Sequence, residues 1–259
     1  MSMKYLSLIS FLSIFCVGCV TPADLAVTNF VLEEDGEFPG SSDISLVWSY
    51  CKQSNDLPLV AVIVPVAGKE KISCSDWRAQ VVLAANYNVL FVAGNFSRDF
   101  GGEASQKALG SFFESKDPEK ELIGIWGYGL ATVPVAFQAK SRSSLKWVLL
   151  GDGVYDTEFV YNKTKSLDVK AAIKDIQTNG SDEFFEQRSI DWDFDGLKCK
   201  VLMYHTDWNR EYPLSQAQAF RDNLASQEIA VLLKVVRDPE EKFSEVEHKS
   251  VVSGFLPKN

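Results

Sequence analysis

Short apolar runs recur along the chain, each followed by polar turn residues and then by a stretch with apolar positions three or four apart. Leu59 to Val64 is apolar without a break, the pattern of a strand buried on both faces. Asp76 is placed to cap a helix reaching about Ala85, with Trp77, Val81 and Ala84 or Ala85 on one stripe. The alternation continues with a strand over Asn88–Ala93, a helix over Glu103–Glu114, a strand over Leu122–Trp126, a helix over Leu130–Lys140 and a strand over Leu145–Leu150. After an irregular, partly helical stretch from 155 to 190 come a strand over Cys199–Tyr204, a helix over Ser215–Ala225, a strand over Ala230–Val236 and a short helix after His248. Upstream, Ile44–Tyr50 reads as a strand and Val27–Leu32 as a possible edge strand, while "EEDGEFPGSSD" reads as a loop. Strand–helix alternation of this kind predicts a single α/β domain with a mostly parallel, twisted sheet flanked by helices.

The first residues break the pattern. Lys4 precedes an apolar run from Tyr5 to about Val17, too short to span a bilayer and suited to the core of a signal peptide. The run ends in Val17-Gly18-Cys19, which resembles a bacterial lipobox, although Cys16 stands where a leucine is usual. That resemblance implies cleavage before Cys19, a lipid on its sulfur and membrane attachment through that lipid. Val20 in place of an aspartate implies the outer membrane, facing the periplasm; an ordinary secreted protein is the alternative. The chain therefore divides into a leader over 1–18, a tether with the possible edge strand over 19–43, and the α/β body over 44–259.

Charge and cysteines narrow the partners. The net charge is −9, and Lys4 is the leader's only charged residue, so the mature protein carries about −10. Such a surface suits neither nucleic acid nor anionic lipid, which bind through Lys and Arg. Of the five cysteines, Cys51, Cys74 and Cys199 belong to the body. Cys51 precedes the apolar strand and Cys74 follows it; seven residues at about 3.3 Å each put them roughly 23 Å apart, so free buried thiols are expected. The two histidines, His205 and His248, are far apart with no Cys-x-x-Cys, which excludes an evident zinc site, and nothing calls for a cofactor.

The residues "IGIWGYGLATVPVAF" (123–137) take a β-branched and aromatic run through Gly-x-Gly into a small-residue helical stretch. Together with "LPLVAVIVPVAG", "CKVLMYHTDWNREYPLSQAQAFRDNL" and "AVLLKVVRDPEEKFSEVEHKS", in that order, this resembles the α/β-hydrolase superfamily, closest to dienelactone hydrolases and esterases. The resemblance implies a nucleophile elbow, an acid loop and a histidine loop at matching positions. Gly129 then stands where the nucleophilic serine belongs, Asn209 where the acid belongs, and His248 where the base belongs. Asp152, after the sixth strand, is an alternative acid, with Asp207 and Glu211 as neighbours of Asn209. Thr132, one helical turn beyond Gly129, is expected to point elsewhere, and His205 to be structural. Pro65-Val66-Ala67-Gly68 replaces the oxyanion loop, and Pro65 has no N–H to give.

With nucleophile, usual acid and part of the oxyanion loop altered together, the resemblance implies a pseudo-hydrolase that binds a ligand or an envelope protein. Tyr128, Leu130, Val66 and Gly68 are its candidate binding residues, with Trp126, Trp208 and Phe96 as possible cleft walls. The alternative is an atypical esterase or lactonase that uses His248 to activate water, with Asp152 or Asp207 behind it. The stretch from Tyr155 to Trp192, with Phe184 and Phe185 expected on its surface, is the candidate interaction face.

Overall fold

The computed structural model describes residues 31–40, 44–66, 73–116, 122–178, 184–190, 197–237 and 244–258. Cys19 and Gly68 fall outside them. Eight strands form one sheet in the order β1-β2-β4-β3-β5-β6-β7-β8. They are β1 (Val31–Pro39), β2 (Ser45–Lys52), β3 (Leu59–Pro65), β4 (Asn88–Gly94), β5 (Leu122–Tyr128), β6 (Trp147–Gly151), β7 (Lys200–Thr206) and β8 (Val231–Val236). Strands β3 to β8 pair in parallel, whereas β1 pairs with β2, and β2 with β4, in antiparallel fashion. Every residue of β4 and β6 is buried, which explains why these strands carry apolar runs rather than alternation.

Helices cover both faces. One face packs under α2 (Glu103–Lys116), α3 (Thr132–Ser141) and α6 (Leu214–Ser226), together with α4 (Thr157–Lys163) and α5 (Leu167–Thr178). The other packs under α1 (Trp77–Ala84) and α7 (Glu245–Ser253), around Trp77, Trp126, Trp147 and Tyr204. Capping sets two helix starts: Asp76 Oδ1 accepts from Arg78 N–H at 2.8 Å, as the sequence indicates, and Ser244 Oγ accepts from Glu247 N–H at 3.3 Å. Among the described residues no helix is long and apolar enough to cross a membrane.

Three expectations change. The edge strand is β1 at 31–39, so all of "EEDGEFP" is strand rather than loop. An edge strand tolerates charge and a terminal proline, because one side of its ladder stays open. What fixes it is apolar: Gly36 lets the Trp48 indole lie against its backbone, and Phe38 meets Phe112 edge-on at 5.5 Å. His248 is not in a loop before the last helix but in the first half of α7.

The third change concerns the cysteines. Cys51 and Cys74 are joined in a disulfide, with Cα atoms 5.8 Å apart, while Cys199 is a free, buried thiol. Counting rise along β3 measured the strand but not the return of the chain. Cys74 lies just ahead of α1, which packs back over the same face of the sheet as Cys51. Closing a loop with 23 residues of separation stabilises the fold by about 3 kcal/mol in the chain-entropy picture. Cys51→Ser is therefore expected to lower the unfolding free energy by about that amount in urea titrations without reductant. The difference from the parent should vanish once dithiothreitol is added to both.

Candidate functional site

Strand β5 ends at Tyr128, one turn of 3-10 helix covers Gly129–Ala131, and α3 follows from Thr132. Gly129 sits at the crest of this bend with φ +57°, the left-handed region that a side chain enters only under strain. A Cβ there would lie 3.3 Å from Pro65 Cγ, so the proline that replaces an oxyanion donor also roofs the crest. Thr132 points inward as expected. Its hydroxyl bonds to Gly129 O at 2.8 Å and accepts from Val154 N–H at 3.0 Å, tying the bend to the loop after β6. Val66 does not offer its N–H to the crest, because that group donates to Gly94 O at 2.9 Å. Leu130 is buried, Tyr128 is half-buried, and Trp126 and Phe96 are fully buried core residues rather than cleft walls.

The structure brings together His248 and Asp152, and leaves Asn209 out. Asn209 Oδ1 accepts from the N–H groups of Glu211 at 3.0 Å and Tyr212 at 2.9 Å, so it builds the turn of its own loop. Asp207 and Glu211 in that loop are exposed. Asp152 follows β6 at φ +45°, and its Oδ2 lies 3.0 Å from His248 Nε2. Thr206, a residue that sequence reasoning passed over, completes the group. Its N–H donates to Asp152 Oδ1 at 2.7 Å, and its hydroxyl lies 3.0 Å from Asp152 Oδ2 and 3.3 Å from His248 Nε2. His248 Nδ1 meets the Ser244 carbonyl oxygen of its own helix at 2.8 Å.

Both imidazole nitrogens thus face acceptors. An imidazolium donates to both at once; a neutral ring with Nδ1–H turns its Nε2 lone pair to the Thr206 hydroxyl or to a protonated Asp152. In either state no lone pair of the ring is left to take a proton from a substrate or a water. The group is sealed as well: His248, Thr206 and Asp152 are 1%, 3% and 4% exposed. Trp77 and Tyr204 stand edge-on to the imidazole at 5.9 and 5.8 Å. Gly151 is required beneath them, since a Cβ there would come within 2.2 Å of the Tyr204 ring.

Electrostatics follow from this geometry. Burial alone would raise Asp152, but the His248 hydrogen bond, the fields of His205 and His248 and the Thr206 N–H together hold it below the ordinary carboxylate value. Burial raises the Tyr128 phenol, and the charge of Asp152 raises it further. Burial lowers His205, whose Nε2–H donates to Tyr212 O at 2.6 Å, so this histidine is structural as expected. Arg78, also missed in the sequence, grips Asp76 through Nε at 2.8 Å and Nη2 at 2.7 Å and lies over the Tyr128 ring at 5.1 Å. The carboxylate outweighs desolvation and keeps its guanidinium above the ordinary value. "DWR" shows the cap at Asp76; nothing in its spacing shows that the arginine reaches the neighbouring strand.

The expected interaction face is also revised. Phe184 is 1% exposed, with Phe185 edge-on at 5.2 Å and the Arg188 guanidinium 4.2 Å over its ring. Arg188 Nε donates to Asp99 O at 2.7 Å, which ties this segment to the body. Among the described residues no group of three or more His, Cys, Asp or Glu side chains is placed to hold a metal.

Comparison by sequence finds no matching family model and no matching curated protein. Comparison by structure finds many. The acylaminoacyl peptidase of Pyrococcus horikoshii superposes with a TM-score of 0.67 at 13% identity, over 87% of this chain and 40% of that one. An esterase of Pyrococcus furiosus gives 0.57 at 14% identity, over 93% and 96% of the two chains. A puromycin-hydrolyzing peptidase of Mycobacterium tuberculosis gives 0.63 at 16% identity, over 85% and 38%. The chain thus spans about 40% of the peptidases' length and nearly the whole esterase. The fold is that of an α/β hydrolase; at these identities the likeness extends to the fold alone.

Acid should destabilise this protein in two steps. The folded state keeps His205 neutral, so its contribution is present above the ordinary value of 6.5 and is lost as pH falls below it. Asp152 is held below 3.8, so its contribution goes only as pH drops below that value. Chemical denaturation from pH 7.5 to 5.0 should show the first loss, and His205→Asn should flatten it. Asp152→Ala strands a buried imidazole and should cost about 3–5 kcal/mol at neutral pH.

Proposed function

We propose that this chain is a pseudo-hydrolase, an α/β-hydrolase-fold protein held at the cell envelope by a lipid on Cys19, which acts by binding rather than by turnover. One observation carries the reading: His248, at the position of the base, has both ring nitrogens bonded inside the scaffold, to Asp152 and to Ser244 O. Gly129 supplies no nucleophile, Pro65 roofs the crest, and Val66 turns its N–H into the sheet. The groups that would perform acyl transfer are absent or occupied as structural ties. The Thr206 hydroxyl, 3.3 Å from the imidazole, is buried.

The Cys51–Cys74 bridge supports export, since disulfides persist in oxidising compartments such as the periplasm. With the lipobox it favours a tethered periplasmic body whose ligand or protein partner meets the outer surface or the rim of the crest around Tyr128.

Purified protein is expected to show no labelling by a fluorophosphonate probe and no hydrolysis of p-nitrophenyl esters above that of His248→Ala. Gly129→Ser should lose about 1–2 kcal/mol of stability through its left-handed backbone and still gain no esterase activity, because the base is turned away. Turnover in the parent that disappears in His248→Ala would overturn the proposal, as would tenfold or greater esterase gain in Gly129→Ser. The anchor is tested separately: labelled palmitate should enter the parent, and Cys19→Ala should leave the membrane fraction.

A further inference from the structure

Strand β1 ends the sheet on one side and β8 on the other, and the two edges are built differently. Strand β1 carries exposed Glu34, Asp35 and Glu37, has a register shift between Leu32 and Glu34, and finishes in Pro39. Charge, a bulge and a proline are devices that keep an edge strand from pairing with another chain. Strand β8 has neither acid, bulge nor proline. Its sequence is VLLKVV, its register with β7 runs unbroken from Val231 to Val236, and its one charge is Lys234. Leu232 is 43% exposed, and Val231, Leu233 and Val235 are half-buried.

The backbone shows what the open side of β8 offers. Ala230 O accepts from Val201 N–H at 2.9 Å and Val236 O from Asp207 N–H at 3.0 Å, so the even-numbered residues of β8 bond to β7. The N–H and C=O groups of Val231, Leu233 and Val235 therefore point away from the sheet. The side chains of Val231 and Leu233 pack on the cluster that includes Phe220 and Leu224 of α6. Lys234 lies on the opposite face, where its Nζ is 3.4 Å from Gly254 O and 5.0 Å over the Phe255 ring.

We propose that β8 pairs with β8 of a second copy of this chain, antiparallel about a twofold axis through Leu233, so that two sheets become one. The strand is complementary to itself in that register. Leu233 faces Leu233, and Val231 faces Val235 of the second copy, each pair exchanging both N–H···O bonds from groups otherwise left to water. On the other face Leu232 lies opposite Lys234, whose alkyl stem covers it while the ammonium stays drawn back towards Gly254 O. Centring the pair on Lys234 would set like charges against each other. Centring it on Leu232 would set Val235 against Ile229, whose N–H is already given to Leu224 O at 3.0 Å. Two copies of β1 would oppose acid with acid over Glu34–Glu37, so the second copy belongs at β8. A ladder of this length makes a small interface, and association in the micromolar range is expected. The pairing depends neither on the lipid anchor nor on the state of the crest.

Sedimentation equilibrium of the purified full-length protein in density-matched detergent reads this directly. Across the micromolar range the mass should rise from one chain to two and no further. Leu232→Lys sets a lysine opposite Lys234 at both symmetric contacts and should raise the dissociation constant about tenfold. Leu232→Glu sets a carboxylate there and should keep it within about twofold of the parent. Leu232 is exposed, so both variants should fold, which circular dichroism checks. A parent that stays monomeric overturns the proposal. So does a mass that climbs past two chains, the mark of β1 joining β8 in an open chain, or a Leu232→Lys dimer no weaker than the Leu232→Glu dimer.

Discussion

A buried carboxylate and a buried imidazole hold one end of this molecule together. Asp152 leaves β6 in a left-handed conformation, His248 rides on α7, and Thr206 closes β7 between them. None of the three is more than 4% exposed, and Asp152 draws its hydrogen bonds from the other two. Removal of any one leaves a desolvated group behind, which is the costly direction for such pairs. Around this knot the geometry is over-determined. Gln216 supports the loop after Asp152, its Oε1 accepting from Tyr155 N–H at 2.8 Å and its amide donating to Gly153 O at 2.7 Å. Tyr155 stacks on Phe220 at 4.9 Å, carrying that support into α6.

The same knot explains why the crest can be empty of chemistry without being empty of structure. A general base needs one nitrogen held and the other free; here Asp152 and the Ser244 carbonyl oxygen hold both, and the pair braces the sheet end. Gly129 makes a bend that presents no side chain, and Pro65 lies over it. Glycine at the crest, Pro65 against it and a histidine with both nitrogens bonded are mutually consistent features of the proposed binding protein.

Much of the fold was legible because parallel strands buried on both faces announce themselves as unbroken apolar runs, as in Leu59–Val64 and Asn88–Gly94. Gly129 and His248 were legible because each stands at a fixed place in that alternation. Asn209 fits an acid loop by sequence position while its amide serves the local turn; of the alternatives, it is Asp152, 96 residues from His248, that meets the imidazole. Thr206 and Arg78 were invisible because their roles depend on neighbours brought together only by strand order. Most of the edge strand β1 resembles a loop in sequence because its acids and glycine match turn chemistry, while its anchoring contacts, Trp48 and Phe112, are supplied from elsewhere.

The cysteine arrangement bears on how such a chain reaches its native state. Three body thiols allow three pairings, and only Cys51 with Cys74 is native. Closing the short loop is favoured over joining Cys74 to Cys199 by roughly tenfold on chain statistics alone. Cys199 then disappears into the sheet at the start of β7, where burial raises its pKa to about 11 and suppresses the thiolate needed for exchange. The fold so protects its own covalent link: once the central strands assemble, the one remaining sulfur can no longer scramble it.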